Sequence, residues 1–126
     1  MYQSLIHYSL HLIVPIGIAL LINKKQWLKI SLIFWLSMLV DLDHLLANPI
    51  FDSSRCSINY HPLHTYWAIG LYSIMLIIPK QTIKIIGLAL LFHMLTDSID
   101  CFLSYRGCLD CEVDENLEKV FKWLLN

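Results

Sequence analysis

Four long apolar segments separated by short polar stretches most constrain how this chain folds. They run over about residues 4–22, 27–46, 62–78 and 81–103. Segments this long favour helices over strands. The first two approach the roughly 20 residues that a helix needs to cross a bilayer core. The third and fourth reach that length only when their polar ends are buried against protein instead of facing lipid.

The connections between the segments indicate how the helices are arranged. Residues 23–26 join the first pair and residues 79–81 join the second pair, and turns this short make consecutive helices antiparallel neighbours. Pro62 suits the first turn of the third helix, where its missing N–H costs little. Apolar residues near helical spacing in 109–125 predict a short amphipathic helix. It either caps the bundle or lies on the membrane surface.

We therefore predict an all-α fold, an integral membrane up-down four-helix bundle with a short C-terminal amphipathic helix. Residues 1–104 form the transmembrane metal-binding domain, and residues 105–126 form a cysteine-containing tail and the amphipathic helix. Only 15% of the residues are charged, against about 25% in soluble proteins. The net charge of -1 gives no attraction to nucleic acid, which is not expected as a partner.

Lysines predict the orientation in the membrane. Five of them lie in or beside the first and third connections: Lys24, Lys25, Lys29, Lys80 and Lys84. Both connections share one side of a four-helix bundle, and the positive-inside rule makes that side cytoplasmic. Because these lysines follow the first apolar segment, the segment does not read as a secretory signal and is expected to be retained. Both termini then lie on the extracytoplasmic side of a bacterial-type inner membrane.

The same topology brings every histidine to the extracytoplasmic end, together with several aspartates. On one helix, His93 and Asp97 lie four residues apart and Asp100 lies three further on, so all three face one way. Ionisable groups at membrane depth are costly and are functional candidates by default. The candidate metal ligands are His7, His11, Asp41, Asp43, His44, His61, His64, His93, Asp97 and Asp100.

Imidazole and carboxylate ligands suit zinc, manganese or iron. Ten donors exceed the three or four that one catalytic zinc uses, so we expect a divalent metal, zinc before manganese or iron, and two or three ions. Asp41 and His44 share a face, whereas Asp43 points elsewhere and is placed to bridge a second ion or to hold a ligand imidazole. A structural polar network at the end of the bundle is the alternative.

The four cysteines also lie on the extracytoplasmic side, where disulfides form. Of the three possible pairings, one joins Cys56 to Cys101 and Cys108 to Cys111. A four-cysteine zinc site is the alternative.

Three motifs carry a family likeness: Asp41-Leu42-Asp43-His44, His61-Pro62-Leu63-His64 and His93-Met94-Leu95-Thr96-Asp97. Over about residues 1–104 the chain resembles a small membrane family of unknown function. More distantly it looks like the LexA-binding, inner-membrane-associated hydrolases, which are similar to the zinc-dependent phospholipase C and nuclease superfamily. It departs from the hydrolase pattern in lacking an Arg-Gly before the Thr-His pair.

The distant resemblance implies metal-dependent hydrolysis of phosphoesters or phospholipids. By motif match it implies ligand roles for Asp41, Asp43, His44, His64, His93 and Asp97, with His7 or His11 as the N-terminal ligand.

These patterns together favour a membrane metal-dependent hydrolase in which metal-activated water attacks a phospholipid or another lipid-linked phosphoester in the bilayer. Asp41 or Asp43, whichever is not a ligand, is the expected general base. Arg55 or Arg106 is placed to bind the substrate phosphate, unless both are only loop charges. The alternatives are a non-catalytic metal-binding protein for transport or sensing and, less favoured, a haem-binding bundle.

Overall fold

The computed structural model describes residues 2–50, 52, 54–108 and 111–126. The fold is all-helical, as predicted, and contains no β-strand among these residues. The α-helices are α1 (Tyr2–Leu12), α2 (Val14–Ile22), α3 (Trp27–Leu36), α4 (Tyr66–Met75), α5 (Gln81–Gly107) and α6 (Glu115–Leu125). Two 3-10 segments, Ser37–Leu46 and Pro62–His64, precede and follow the long connection.

The first apolar segment forms one 21-residue helix made of α1 and α2, with an interruption at Ile13. Pro15 lacks the N–H that would bond to the carbonyl of His11, and its ring crowds that carbonyl. The chain tightens locally, so that the N–H of Ile16 donates to the carbonyl of Ile13 at 3.1 Å. The interruption lies two residues after His11, which is buried.

The second apolar segment differs from the single α-helix expected over residues 27–46. The α-helix ends at Leu36 and continues as the ten-residue 3-10 segment Ser37–Leu46. The Ser37 hydroxyl donates to the carbonyl of Phe34 at 2.6 Å, an acceptor that the next α-helical turn would use. Residues three apart eclipse in a 3-10 helix, so Asp41 and His44 still share a face.

The prediction of one helix over residues 62–78 is wrong. Pro62 begins only a short 3-10 turn, and α4 starts at Tyr66, where the Thr65 hydroxyl accepts from the N–H of Ala68 at 3.3 Å. The ten residues of α4 rise about 15 Å, which is half of a bilayer core. Two helices, Tyr2–Ile22 and Gln81–Gly107, are long and apolar enough to cross a membrane.

α5 is the central helix, and apolar side chains pack on both of its ends. Near its start, Ala19, Ile30, Phe34, Ile85 and Ala89 form one buried cluster between α2, α3 and α5. Further along, α5 packs against α4, the long connection and α6; this second cluster contains Cys56, Ile58, Tyr72, Met94, Cys101 and Phe121. Of the polar side chains considered below, His93, Asp97 and Asp100 lie on α5, so the packing of this helix positions them.

Gly87 allows the closest approach of α4 to α5. A Cβ atom at this position would lie 2.7 Å from Met75 Cβ and 2.8 Å from the carbonyl oxygen of Tyr72. We therefore expect Gly87→Ala to lower the free energy of unfolding by about 1–3 kcal/mol through overpacking. Denaturant unfolding in detergent measures this loss of stability. The control is Gly70→Ala in α4, which meets nothing within 4 Å and should stabilise the helix by about 0.5–1 kcal/mol. Equal stability of the two variants would contradict this packing.

The tail forms the expected amphipathic helix but later than residue 109, and residues 109–110 lie outside the described part of the chain. α6 begins after Asp114, whose carboxylate accepts from the N–H of Asn116 at 3.0 Å. Hydrogen bonds from Tyr66 and Asn59 hold the pKa of Asp114 below its usual range. Phe121 packs 5.2 Å from the ring of Phe102, so this helix caps the bundle.

The two disulfides join the four cysteines in one of the three pairings that the sequence allows, the one given above. Cys56 is bonded to Cys101 and Cys108 to Cys111, and no cysteine is left for a zinc site. The first disulfide ties the long connection to α5. Backbone hydrogen bonds between Cys56 and Glu112, and between Glu112 and Ser54, tie the same connection to the tail at 3.0 and 2.9 Å. The connection is thereby held beside the second half of α5.

Candidate metal centre

Four side chains from three elements converge beside α5, and we call them the primary group: Asp41, His64, His93 and Asp97. The Nε2 atom of His64 lies 3.4 Å from Asp41 Oδ1 and 3.0 Å from Asp97 Oδ2. The Nε2 atom of His93 lies 3.1 Å from Asp41 Oδ1 and 3.3 Å from Asp97 Oδ2. The Nε2 atom of each of the two imidazoles therefore faces both carboxylates.

The spacing of these atoms suits one small cation. Ligands arranged tetrahedrally at zinc bond lengths of about 2.0–2.2 Å lie about 3.3–3.6 Å from one another. The four distances in the primary group run from 3.0 to 3.4 Å. They reach that range or fall a few tenths of an ångström below it. Binding of an ion therefore requires little movement of these side chains.

Unpaired polar atoms point to the same conclusion. His64 is fully buried and Asp97 is 6% exposed, yet His64 Nε2 and Asp97 Oδ2 make no hydrogen bond of good geometry with each other or with another described residue. A buried polar atom without a partner costs about 1–3 kcal/mol. These two atoms are 3.0 Å apart, so a single cation between them would satisfy both.

The charge of the primary group also fits a divalent cation. Within the described part of the chain, the ion-pair partners of Asp41 and Asp97 are histidines only, with no lysine or arginine. Buried charges are normally paired or coordinated to a metal. Two carboxylates and two neutral imidazoles would balance the charge of one divalent ion.

Asp43 supports His64 from the side opposite the primary group. Its Oδ2 atom lies 3.1 Å from His64 Nδ1 and accepts from the N–H of Leu63 at 2.7 Å. A hydrogen bond from Nδ1 to a carboxylate leaves the lone pair of Nε2 free and orients the ring toward a metal. Of the two roles that the sequence left open for Asp43, holding an imidazole is the one that matches these contacts.

His44 and His61 were predicted as ligands, but they lie beside the primary group. Both nitrogens of His44 have partners, Asp43 Oδ1 at 3.1 Å and Ser57 Oγ at 3.0 Å. Asp43, His44 and His64 are close enough to share an ion, yet Asp43 already pairs with both rings. His61 stacks on His44 with ring centroids 3.8 Å apart. Burial and the neighbouring His44 lower the pKa of His61, so His61 stays neutral.

The remaining predicted ligands lie on the α1 side of Asp97. His7, His11 and Asp97 form another group whose ligand atoms are within 4.8 Å of one another. Asp100 lies 3.8 Å from His7 Nδ1 and accepts from the side-chain amide of Gln3 at 3.1 Å. Gln3 is not among the residues predicted from the sequence, since a lone amide in a first helical turn carries no recognisable pattern.

A cavity of about 660 Å³ opens onto these residues. Its walls include Asp41 and Asp97 of the primary group. Other parts of its walls include His7, Asp100 and Arg55. The side chain of Asp41 is 38% exposed, whereas the other members of the primary group are buried. A small molecule in the cavity would therefore reach the primary group from the Asp41 side.

The two predicted phosphate-binding arginines have different surroundings. Arg55 lines the cavity, donates to the carbonyl of Pro49 at 2.9 Å and lies 4.5 Å from the centre of the Tyr60 ring. Arg106 is exposed in the last turn of α5 and is not among the residues that line the cavity.

Comparison with known proteins gives one match. A family model described as a family of unknown function (DUF6122) matches residues 1–104, which hold every residue of the primary group. No curated protein and no solved structure matches the chain.

Proposed function

We propose that this chain, which belongs to the DUF6122 family, has a function that depends on a divalent metal ion. The ion would be held by Asp41, His64, His93 and Asp97. The observation that carries this proposal is the convergence of four ligand atoms, two of them buried and without hydrogen-bond partners. Zinc is the first candidate because two nitrogens and two oxygens at tetrahedral spacing suit it. Manganese and iron accept the same ligands.

We place the metal centre in a membrane. The two long apolar helices support this location. So do large apolar side chains that face outward, with Leu21 88%, Trp67 89% and Ile77 80% exposed. Exposed apolar surface on this scale marks an interaction surface, and lipid would cover it. The lysine distribution supports a location of the metal centre and both termini on the extracytoplasmic side of a bacterial-type inner membrane.

The reaction that we propose is hydrolysis of a phosphoester, carried by a phospholipid or another lipid-linked substrate. A divalent ion in the primary group would lower the pKa of a bound water and polarise a phosphoryl oxygen. Asp41 is the more exposed of the two carboxylates of the group that line the cavity, and its Oδ1 atom faces both imidazoles, so we assign proton transfer to its other oxygen. Asp43 is excluded from that role because both of its oxygens accept hydrogen bonds within the protein. Metal-dependent hydrolysis is also what the sequence motifs shared with the LexA-binding hydrolases imply, although the matching family model is itself one of unknown function.

Arg55 is our candidate for binding the phosphate. It lines the same cavity as Asp41 and Asp97, and a guanidinium group can hold two phosphate oxygens at once. The contact with Pro49 uses one of its terminal nitrogens. The other donors of the guanidinium group are enough for a phosphate.

Metal analysis and a hydrolysis assay test this proposal. Protein purified in detergent should contain bound zinc, manganese or iron and should cleave at least one substrate in a panel of phosphodiesters and phospholipids. A chelator should abolish the activity, and added metal should restore it. Bound metal without hydrolysis would instead favour a non-catalytic protein for metal transport or sensing. A haem absorbance spectrum, or protein free of metal, would contradict the proposal.

A further inference from the structure

A second set of donor atoms lies on the other side of Asp97 from the primary group. His7 and His11 lie one turn apart on α1, with ring centroids separated by 4.5 Å. His11 is 3% exposed. Neither His11 Nε2 nor His7 Nδ1 has a hydrogen-bond partner among the described residues, although both atoms are buried. Two unpartnered imidazole nitrogens in one buried place need a common partner.

Asp97 presents one oxygen to each group of donors. Its Oδ2 atom lies 3.0 and 3.3 Å from His64 and His93. Its Oδ1 atom lies 3.5 Å from His11 Nε2, which is longer than an ordinary N–H···O hydrogen bond. A carboxylate whose two oxygens face two separate sets of imidazoles has the arrangement of a bridge between two metal ions.

The surroundings of the second set favour an ion over a network of hydrogen bonds. The ring of His11 lies 4.7 Å from that of His93, in a tilted arrangement. Asp100 is directed to another partner, because its Oδ1 atom accepts from Gln3. Among the described residues His11 Nε2 makes no hydrogen bond of good geometry, and its contact with Asp97 Oδ1 is long at 3.5 Å.

We propose that His7, His11 and Asp97 bind a second divalent cation, with Asp97 bridging it to the ion of the primary group. This inference rests on the proposed function and extends it. Three protein ligands leave one position of a tetrahedral ion open, and His7 lines the cavity. The primary group supplies four protein ligands. The second ion would therefore have an open position for a substrate oxygen, beside the ion of the primary group, which would take its water as a fifth ligand.

Metal stoichiometry of single variants tests the second site separately from the first. Wild-type protein purified with zinc should hold two ions per chain. His11→Gln should hold one, because the primary group stays complete. His64→Ala should also hold one, because the second set stays complete, and Asp97→Ala should hold none. Ser98→Ala is the matched control for Asp97, being its neighbour on α5, and should retain both ions. Circular dichroism and size-exclusion chromatography verify that each variant is folded.

The outcomes separate the two proposals. Two ions retained by His11→Gln, or a single ion in the wild type that His64→Ala removes, would overturn the second site and leave the primary site standing. No ion in the wild type would overturn both. Should His11→Gln fail to fold, electron paramagnetic resonance of manganese-loaded wild type decides. Coupled spectra support a bridged pair, and a simple six-line spectrum at full loading excludes it.

Discussion

Replacing His64 with alanine is expected to lower metal affinity at the primary group by more than about 100-fold. Loss of a carboxylate that only supports a metal-bound histidine costs about 10–100-fold, and loss of the ligand itself costs more. Asp43→Asn should fall within that lower range. The hydrogen bond to His64 Nδ1 would weaken, but the imidazole would remain. The ordering of these two variants follows from the 3.1 Å contact between Asp43 and His64.

Competition with a chromophoric zinc chelator measures both affinities. Ser57→Ala is the matched control, because Ser57 contacts His44 Nε2 and has no contact with the primary group. It should bind metal as the wild type does. Unchanged affinity in His64→Ala would remove His64 from the site. If Asp43→Asn bound metal more weakly than His64→Ala, Asp43 would be a metal ligand and would not merely support His64.

Sequence periodicity predicted the helices that are governed by local interactions. The first segment and α5 follow from long, mainly apolar runs. The 3-10 conformation of Ser37–Leu46 and the late start of α4 depend on contacts between segments. The carboxylate of Asp43 accepts from the backbone N–H of Leu63, twenty residues away. Helical periodicity contains no information about such a partner, so the second and third segments were predicted as longer and more regular helices.

The candidate site was predicted as a set of residues but not as a structure. Spacing along a helix indicated that His93 and Asp97 share a face, and the topology indicated which ends of the helices meet. It did not indicate which of the ten candidates share an ion. That division depends on distances across helices. Asp97 faces two sets of imidazoles, whereas His44 uses both nitrogens in hydrogen bonds.

The two disulfides are expected to differ strongly in their effect on stability. Closing a loop in the unfolded chain stabilises the fold more as the loop lengthens. Cys56 and Cys101 are 45 residues apart, whereas Cys108 and Cys111 are three apart. The loop-entropy relation gives about 4 kcal/mol for the first disulfide and about 1.5 kcal/mol for the second. The double variant Cys56→Ser/Cys101→Ser should therefore be much less stable than Cys108→Ser/Cys111→Ser.

Denaturant unfolding in detergent, with and without a reducing agent, measures this difference. The wild type should lose stability on reduction, and Cys56→Ser/Cys101→Ser should be much less sensitive. The same double variant should also bind metal more weakly, because the disulfide holds the connection that leads into His64, and the N–H of Asn59 in that connection donates to the carbonyl of His64 at 2.9 Å. Equal losses from the two double variants would show that loop length does not govern the effect. Unchanged metal binding despite the lost stability would show that the connection only covers the metal centre and does not position it.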